Sequence, residues 1–240
     1  MRENMACQKT SATRRLRSLK TKAAKIDVIL TDLYGRKEIE GDEDPMDTLV
    51  ETILSQNTTD KNSHRAFQKL KRAYPGWEHM IGASPKRVAD LIRSGGLAGI
   101  KAERILDALE FIKKSRGELR LDFLRSLTPS QADAWLAQMK GVGPKTRGII
   151  LLFALRMPAF PVDTHIHRVT KRLGLIGQKT SREMAQEELA EIVPPPEYYN
   201  FHINLIEHGR AVCQARRPRC SACKIRRFCD YYSKRPPART

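Results

Sequence analysis

The segment Gly141-Val142-Gly143-Pro144-Lys145-Thr146 combines two glycines, a proline and a lysine in an order suited to phosphate chemistry. Glycine leaves backbone N–H groups uncovered, and proline suits the first position of a helix whose opening amides face an anion. The expected helix continues through Leu155. Lys145 then falls in the first turn, where the macrodipole opposes a cation by about 0.3–1 kcal/mol. Helix stability gives no reason for a lysine there. The same field, with Lys140 and Arg147 nearby, favours the neutral amine. A neutral amine beside a bound phosphate is a nucleophile. Eighteen residues beyond Lys145, Val162-Asp163-Thr164-His165 supplies a carboxylate. Asp163 also reads as a helix N-cap, because it precedes the apolar-periodic run Ile166, Val169 and Leu173.

A second constellation lies near the C-terminus. Cys213, Cys220, Cys223 and Cys229 are spaced C-x6-C-x2-C-x5-C. The chain shows no export signal, which disfavours disulfides. Four thiolates so close in sequence enclose one metal centre, either zinc or a cubane iron–sulfur cluster. Zinc sites more often use two paired CxxC knuckles, and only Cys220–Cys223 has that form. Arg216, Arg217, Arg219, Lys224, Arg226 and Arg227 occupy the loop, with no acid among them. They either neutralise the centre's negative charge or reach toward phosphates, and the two effects are compatible. Cys7 stands outside the motif.

The elements that position these groups are helical. From Ile26 onward the apolar pattern has no sustained period of two. Leu49, Val50, Ile53 and Leu54 form one stripe, and Ile105, Leu109 and Ile112 another. Ser84-Pro85 and Thr128-Pro129 are helix starts, Thr180 with Glu183 has capping-box form, and Gly174 suits a helix end. The fold class is all-α. Lys and Arg outnumber Asp and Glu by 44 to 27 over 240 residues, a net charge of +17. Such a balance suits a polyanionic partner, and by itself equally a solvated basic surface. The longest uncharged apolar run, Ile149–Leu155, is too short to span a bilayer. Residues 1–22 carry seven basic side chains against Glu3 and almost no large apolar ones. They are expected to be disordered, as an electrostatic arm or an organelle transit peptide.

The hairpin, the Val-Asp-Thr-His segment and the cysteine spacing resemble the helix-hairpin-helix DNA glycosylases, specifically endonuclease III, from Ile26 to Tyr232. The resemblance implies two helical domains with the DNA and the active site in the cleft between them. Residues 38–157 would form a six-helix barrel carrying the helix-hairpin-helix. Residues 24–37 with 158–232 would form the cluster domain, leaving a basic tail at 1–23 and a C-terminal tail at 233–240. It implies Lys145 as the nucleophile on the sugar carbon, Asp163 as its assistant, and a four-iron four-sulfur cluster on the four cysteines. Gly141, Gly143 and Thr146 would contact DNA. His165 matches the family histidine and also reads as a hydrogen-bonded interfacial residue.

Leu54-Ser55-Gln56-Asn57-Thr58-Thr59-Asp60 aligns with the family segment that enters the duplex at a flipped base. Asn57 stands where glutamine commonly fills the vacated space, with Gln56 before it, and both are expected to contact DNA as amides able to hydrogen-bond the orphaned partner base. Leu97, after Gly95-Gly96, matches a wedge into the opposite strand, or is a small core contact. Lys140 stands where the family often has proline, and Arg147 where it often has a small residue. Lys140 is a competing amine or a phosphate contact.

The expected activity is that of a bifunctional DNA glycosylase and abasic-site lyase of base excision repair, removing oxidised pyrimidines from duplex DNA as a monomer. Its rivals are a monofunctional glycosylase that uses water and a non-catalytic, cluster-bearing DNA-binding protein. No membrane role is expected. The compartment would be the nucleoid-bearing cytoplasm in a prokaryote, and otherwise the nucleus or mitochondrion.

Overall fold

The computed structural model describes residues 2–234, and side chains from residue 12 onward. Cys7's side chain and residues 235–240 of the expected C-terminal tail lie outside them. Among the described residues there are helices and turns and no strand, so the all-α expectation holds. The chain divides into two compact units, Met1–Glu40 with Pro158–Thr240, and Gly41–Met157.

The first unit opens with α1, Arg2–Tyr34. The composition of residues 1–22 predicts disorder; over residues 2–22 the structure corrects this with one continuous helix. The reason lies at its C-terminal half, where Ala23, Ile26 and Leu30 are fully or almost fully buried at helical spacing. Nucleation is the costly step, so an anchored helix extends through neighbouring good helix formers. Lys22 adds an ion pair with Asp230 at 2.9 Å.

The second unit holds α2 (Pro45–Ser55), α3 (Asp60–Ala73), α4 (Pro85–Leu91), α5 (Ala98–Arg116), α6 (Pro129–Leu136) and α7 (Pro144–Ile149). Both expected stripes face its core: Leu49, Ile53 and Leu54 on α2, and Ile105, Leu109 and Ile112 on α5, are completely buried. Each such side chain contributes about 1.5–3 kcal/mol by leaving water. Both proline starts are observed. Thr128 accepts from the Gln131 amide while the Gln131 side chain accepts from the Thr128 amide, a reciprocal cap on α6. After α7 the chain widens into a π-helical turn, Ile150–Ala154, in which the Leu155 amide donates to the Ile150 carbonyl at 3.0 Å.

The first unit resumes with α8 (Thr164–Leu173), α9 (Arg182–Ile192), α10 (Tyr198–Ala211) and α11 (Asp230–Ser233). Helix α10 packs against both α1 and α8. Gly174 ends α8 at a φ of +71°, and a Cβ there would lie 2.0 Å from an Asp230 oxygen. Only glycine satisfies both the backbone and the neighbour. The capping-box reading of Thr180 is corrected by one residue. Ser181 caps α9 by accepting from the Met184 amide, and the Thr180 hydroxyl instead donates to Glu188 at 2.8 Å. Between α1 and α10, Asn200 donates to Asp27 and Thr31, each at 2.8 Å.

Candidate active site and metal centre

The hairpin residues adopt the geometry their types suggest. Gly141 has a φ of +83°, and a Cβ there would meet the Arg104 side chain at 2.9 Å. The N-cap of α7 is Gly143, which offers no side-chain bond to the first helical amides. Pro144 has no amide hydrogen, so the Lys145 and Thr146 amides open the helix without a capping side chain. Lys145 follows Pro144 in the first turn and is exposed, whereas Thr146 is buried. Arg147 is accounted for within the fold: its Nε donates to Asp133 at 2.7 Å and ties α7 to α6. Lys140 is exposed just before the hairpin.

The segment after α2 is joined to this hairpin. The Gln56 amide nitrogen lies 3.4 Å from the Gly141 carbonyl and 3.5 Å from the Thr146 hydroxyl, and its oxygen accepts from Arg104 at 2.6 Å. Gln56 is therefore half-buried and committed within the protein, while Asn57 is exposed. Asn57 sits in the left-handed region at a φ of 52°. Leu97 does too, at 50°, with 53 % of its surface exposed. Its exposure disposes of the alternative that it is a small core contact. A leucine in the left-handed region is strained, and such strain concentrates at functional loops.

Asp163 and His165 belong to the first unit. Asp163 caps α8, its Oδ1 accepting from the Ile166 amide at 2.7 Å. It is half-buried rather than enclosed. His165 Nδ1 lies 3.1 Å from Arg168 Nη2. Arginine has no acceptor, so this imidazole nitrogen accepts.

Arg168 and Arg172, one turn apart on α8, grip the start of the cysteine loop. Arg168 donates to the Cys213 and Gly209 carbonyls at 3.0 and 2.9 Å. Arg172 donates to the Gln214 and Ala215 carbonyls at 2.7 and 3.0 Å, and to the Cys213 sulfur at 3.4 Å. Cys213, Cys220, Cys223 and Cys229 are not disulfide-bonded to one another, and they line one common cavity with Tyr231 and Tyr232. Burial, reinforced by the other three cysteines, pushes the Cys223 thiol up to about 11, and burial also raises Cys229. His208 Nε2 lies 3.6 Å from the Cys223 sulfur, and burial pushes its pKa down to about 4. Among the described residues no three His, Cys, Asp or Glu side chains are grouped as ligands of a single ion.

Sequence reading missed Lys101, Arg104, Arg168 and Arg172. Lys101 alone carried a signal, since it precedes Ile105, Leu109 and Ile112 at the same helical register. The arginines read as ordinary surface charge.

A family model described as HhH-GPD superfamily base excision DNA repair protein matches residues 50–195. A relative from Arabidopsis thaliana bearing a DNA glycosylase name is 37% identical over 76% of this chain, which spans 60% of that longer protein. Endonuclease III from Thermotoga maritima is 32% identical over 192 residues, covering 80% of this chain and 85% of its own length. Among solved structures, an endonuclease III trapped in a covalent intermediate with DNA is 25% identical. It superimposes with a TM-score of 0.78, covering 90% of this chain and 97% of its own. The glycine-opened hairpin, the capped Asp163 and the four-cysteine loop thus stand in a chain that belongs to the HhH-GPD superfamily of base excision DNA repair proteins, and within it to the endonuclease III family.

Proposed function

We propose that the glycosylase and abasic-site lyase chemistry of this family is carried here by Lys145 and Asp163, on duplex DNA bearing an oxidised pyrimidine. The observation that carries the reading is the exposed Lys145 in the first turn of a helix whose opening amides have no side-chain cap. A phosphate drawn to those amides brings the neighbouring sugar within reach of the lysine. The damaged base must leave the stack first, since the sugar carbon is inaccessible within it. The Lys145 nitrogen then forms a bond to the sugar C1′ as the base departs with the bonding electron pair. Loss of the ring oxygen from C1′ gives a Schiff base. Abstraction of a C2′ proton expels the 3′ phosphate by β-elimination, and water releases the lysine. Asp163 stabilises positive charge developing on the sugar and assists proton transfer. Its bond to the Ile166 amide orients the carboxylate without consuming its second oxygen.

The four cysteines around one cavity fit a thiolate-ligated cluster. A single zinc would need all four sulfurs about 2.3 Å from one point. The bound cluster would serve structurally, cross-linking residues 213–229. Arg168 and Arg172 hold the loop from the protein side, and its exposed arginines would face phosphates. Gly141, Gly143 and Thr146 would contact the DNA backbone, Asn57 and Leu97 would enter the duplex, and the protein would act as a monomer. Among the described residues no helix is long and apolar enough to cross a membrane.

A panel of duplexes, each with one defined lesion, tests the function. Base release coupled to strand cleavage at an oxidised pyrimidine is expected. Base release without cleavage would favour the water-using rival, and binding without release the non-catalytic one. The same preparation should contain iron and acid-labile sulfide; one zinc per chain without either would contradict the cluster.

A further inference from the structure

We infer that Lys101 and Arg104, one turn apart on α5, are positioning residues that fasten the duplex-entering loops to one another, so that Asn57 and Leu97 enter DNA as a single body. This rests on the reading of those two side chains as the groups that enter the duplex.

Lys101 is 1 % exposed. Its Nζ donates to the Leu54 carbonyl at 2.6 Å and to the Gly95 carbonyl at 2.7 Å. Both acceptors lie at helix ends, Leu54 in the last turn of α2 and Gly95 closing the 3₁₀ turn Arg93–Gly95. Carbonyls there lack intrahelical partners and carry the negative end of the dipole. Leu54 leads directly to Gln56 and Asn57, and Gly95 to Leu97. The Lys101 amide also donates to the Leu97 carbonyl at 3.0 Å, so one residue touches both sides of the wedge loop. Arg104 extends the link. It donates to Gln56, whose amide faces Gly141 and Thr146, and its aliphatic stem packs over Gly141.

A core position alone does not call for this lysine. Burying an ammonium is costly, and burial lowers its pKa, with Arg104 acting in the same direction. An apolar residue would fill the space at lower cost. What the ammonium adds is a directional link between two loops far apart in sequence. Each loop carries a non-glycine residue in the left-handed region, a conformation that persists only where the surroundings impose it.

The test uses Lys101→Met, of similar length and without donors, on the full chain. Single-turnover base release is measured from a fully paired lesion duplex, and strand cleavage from an abasic site inside an unpaired bubble. Leu97→Ala is measured in both backgrounds. Loss of the link should slow the paired substrate by about tenfold or more while changing the bubble by less than about threefold. Leu97→Ala should add little once Lys101 is gone, because both act in the same step. Equal losses on both substrates, or an undiminished Leu97→Ala penalty, would overturn the inference. If Lys101→Met does not fold, Lys101→Gln keeps two donors at shorter reach and should show the same substrate bias; uniform loss there overturns it equally. A wild-type protein that releases no base from any lesion defeats the glycosylase reading instead, which separates the two failures.

Discussion

At the scale of single residues, the proposed function divides between Asn57 and its neighbour two jobs that a single amide could do. Gln56 is held by Arg104, Gly141 and Thr146, so its amide is spent inside the protein. Asn57 is left exposed, with a φ of 52°. Asparagine enters the left-handed region more readily than glutamine. The backbone thus supplies a reason for the shorter side chain where the family often has a longer one. Asn57→Ala is expected to slow excision from a paired lesion about tenfold and to leave cleavage at a pre-formed abasic site nearly unchanged, since that site has no base to unstack. Asn57→Gly separates backbone from side chain. It accepts a positive φ freely but has no amide, so it should be as slow as alanine. Recovery by glycine would show that the loop's conformation matters and the amide does not.

At the scale of elements, α1 and α10 are joined through a buried carboxyl that works against stability at neutral pH. Burial, with Glu197 adding to it, pushes Asp27 up to about 6 from its ordinary 3.8. The folded chain therefore holds this proton through a window in which the unfolded chain has lost it. Stability falls as pH rises through that window, and the full cost is present above about pH 6. Asp27→Asn keeps the oxygen that accepts from Asn200 and removes the charge. It should raise stability by about 1–3 kcal/mol at neutral pH, with the gain vanishing below about pH 4. Thermal unfolding of both proteins across that range checks this; a gain independent of pH would assign it to something other than Asp27's charge.

Much of this element scale is legible in the sequence. The apolar stripes of α2 and α5, the two proline starts, the Gly174 end and the Asp163 cap all follow from local periodicity and capping chemistry. What escaped is non-local. The run Ile149–Leu155 is apolar at every position, so nothing in it distinguishes a π turn from an α turn. Lys101 and Arg104 carry charge, and charge reads as surface until the carbonyls that receive it are known. The helical state of residues 2–22 depends on how Ala23, Ile26 and Leu30 are buried, with Lys22 adding an ion pair to Asp230, more than two hundred residues away. Thr180 and Ser181 are both good caps, and Glu188 decides between them by taking the Thr180 hydroxyl.

At the scale of the whole molecule, one chain of net charge +17 carries a lysine hairpin in one unit and a capped aspartate with a four-cysteine loop in the other. Folding cost alone does not explain the combination. A lysine in the first turn of α7 opposes its own helix, and the four half-buried cysteines stand so close that the other three make the Cys223 thiol harder to ionise. On the proposed function the lysine makes sense as the amine of a covalent adduct with DNA, and the cysteines as ligands of a structural cluster. The central claim is that the Lys145 amine forms that adduct. It is tested most directly by borohydride reduction during reaction with abasic-site duplex, followed by denaturing electrophoresis. Wild type should give a stable protein–DNA complex, Lys140→Gln should give it undiminished, and Lys145→Gln, which retains the fold and the hairpin, should give none. Undiminished trapping in Lys145→Gln would contradict the account and move the nucleophile to another amine.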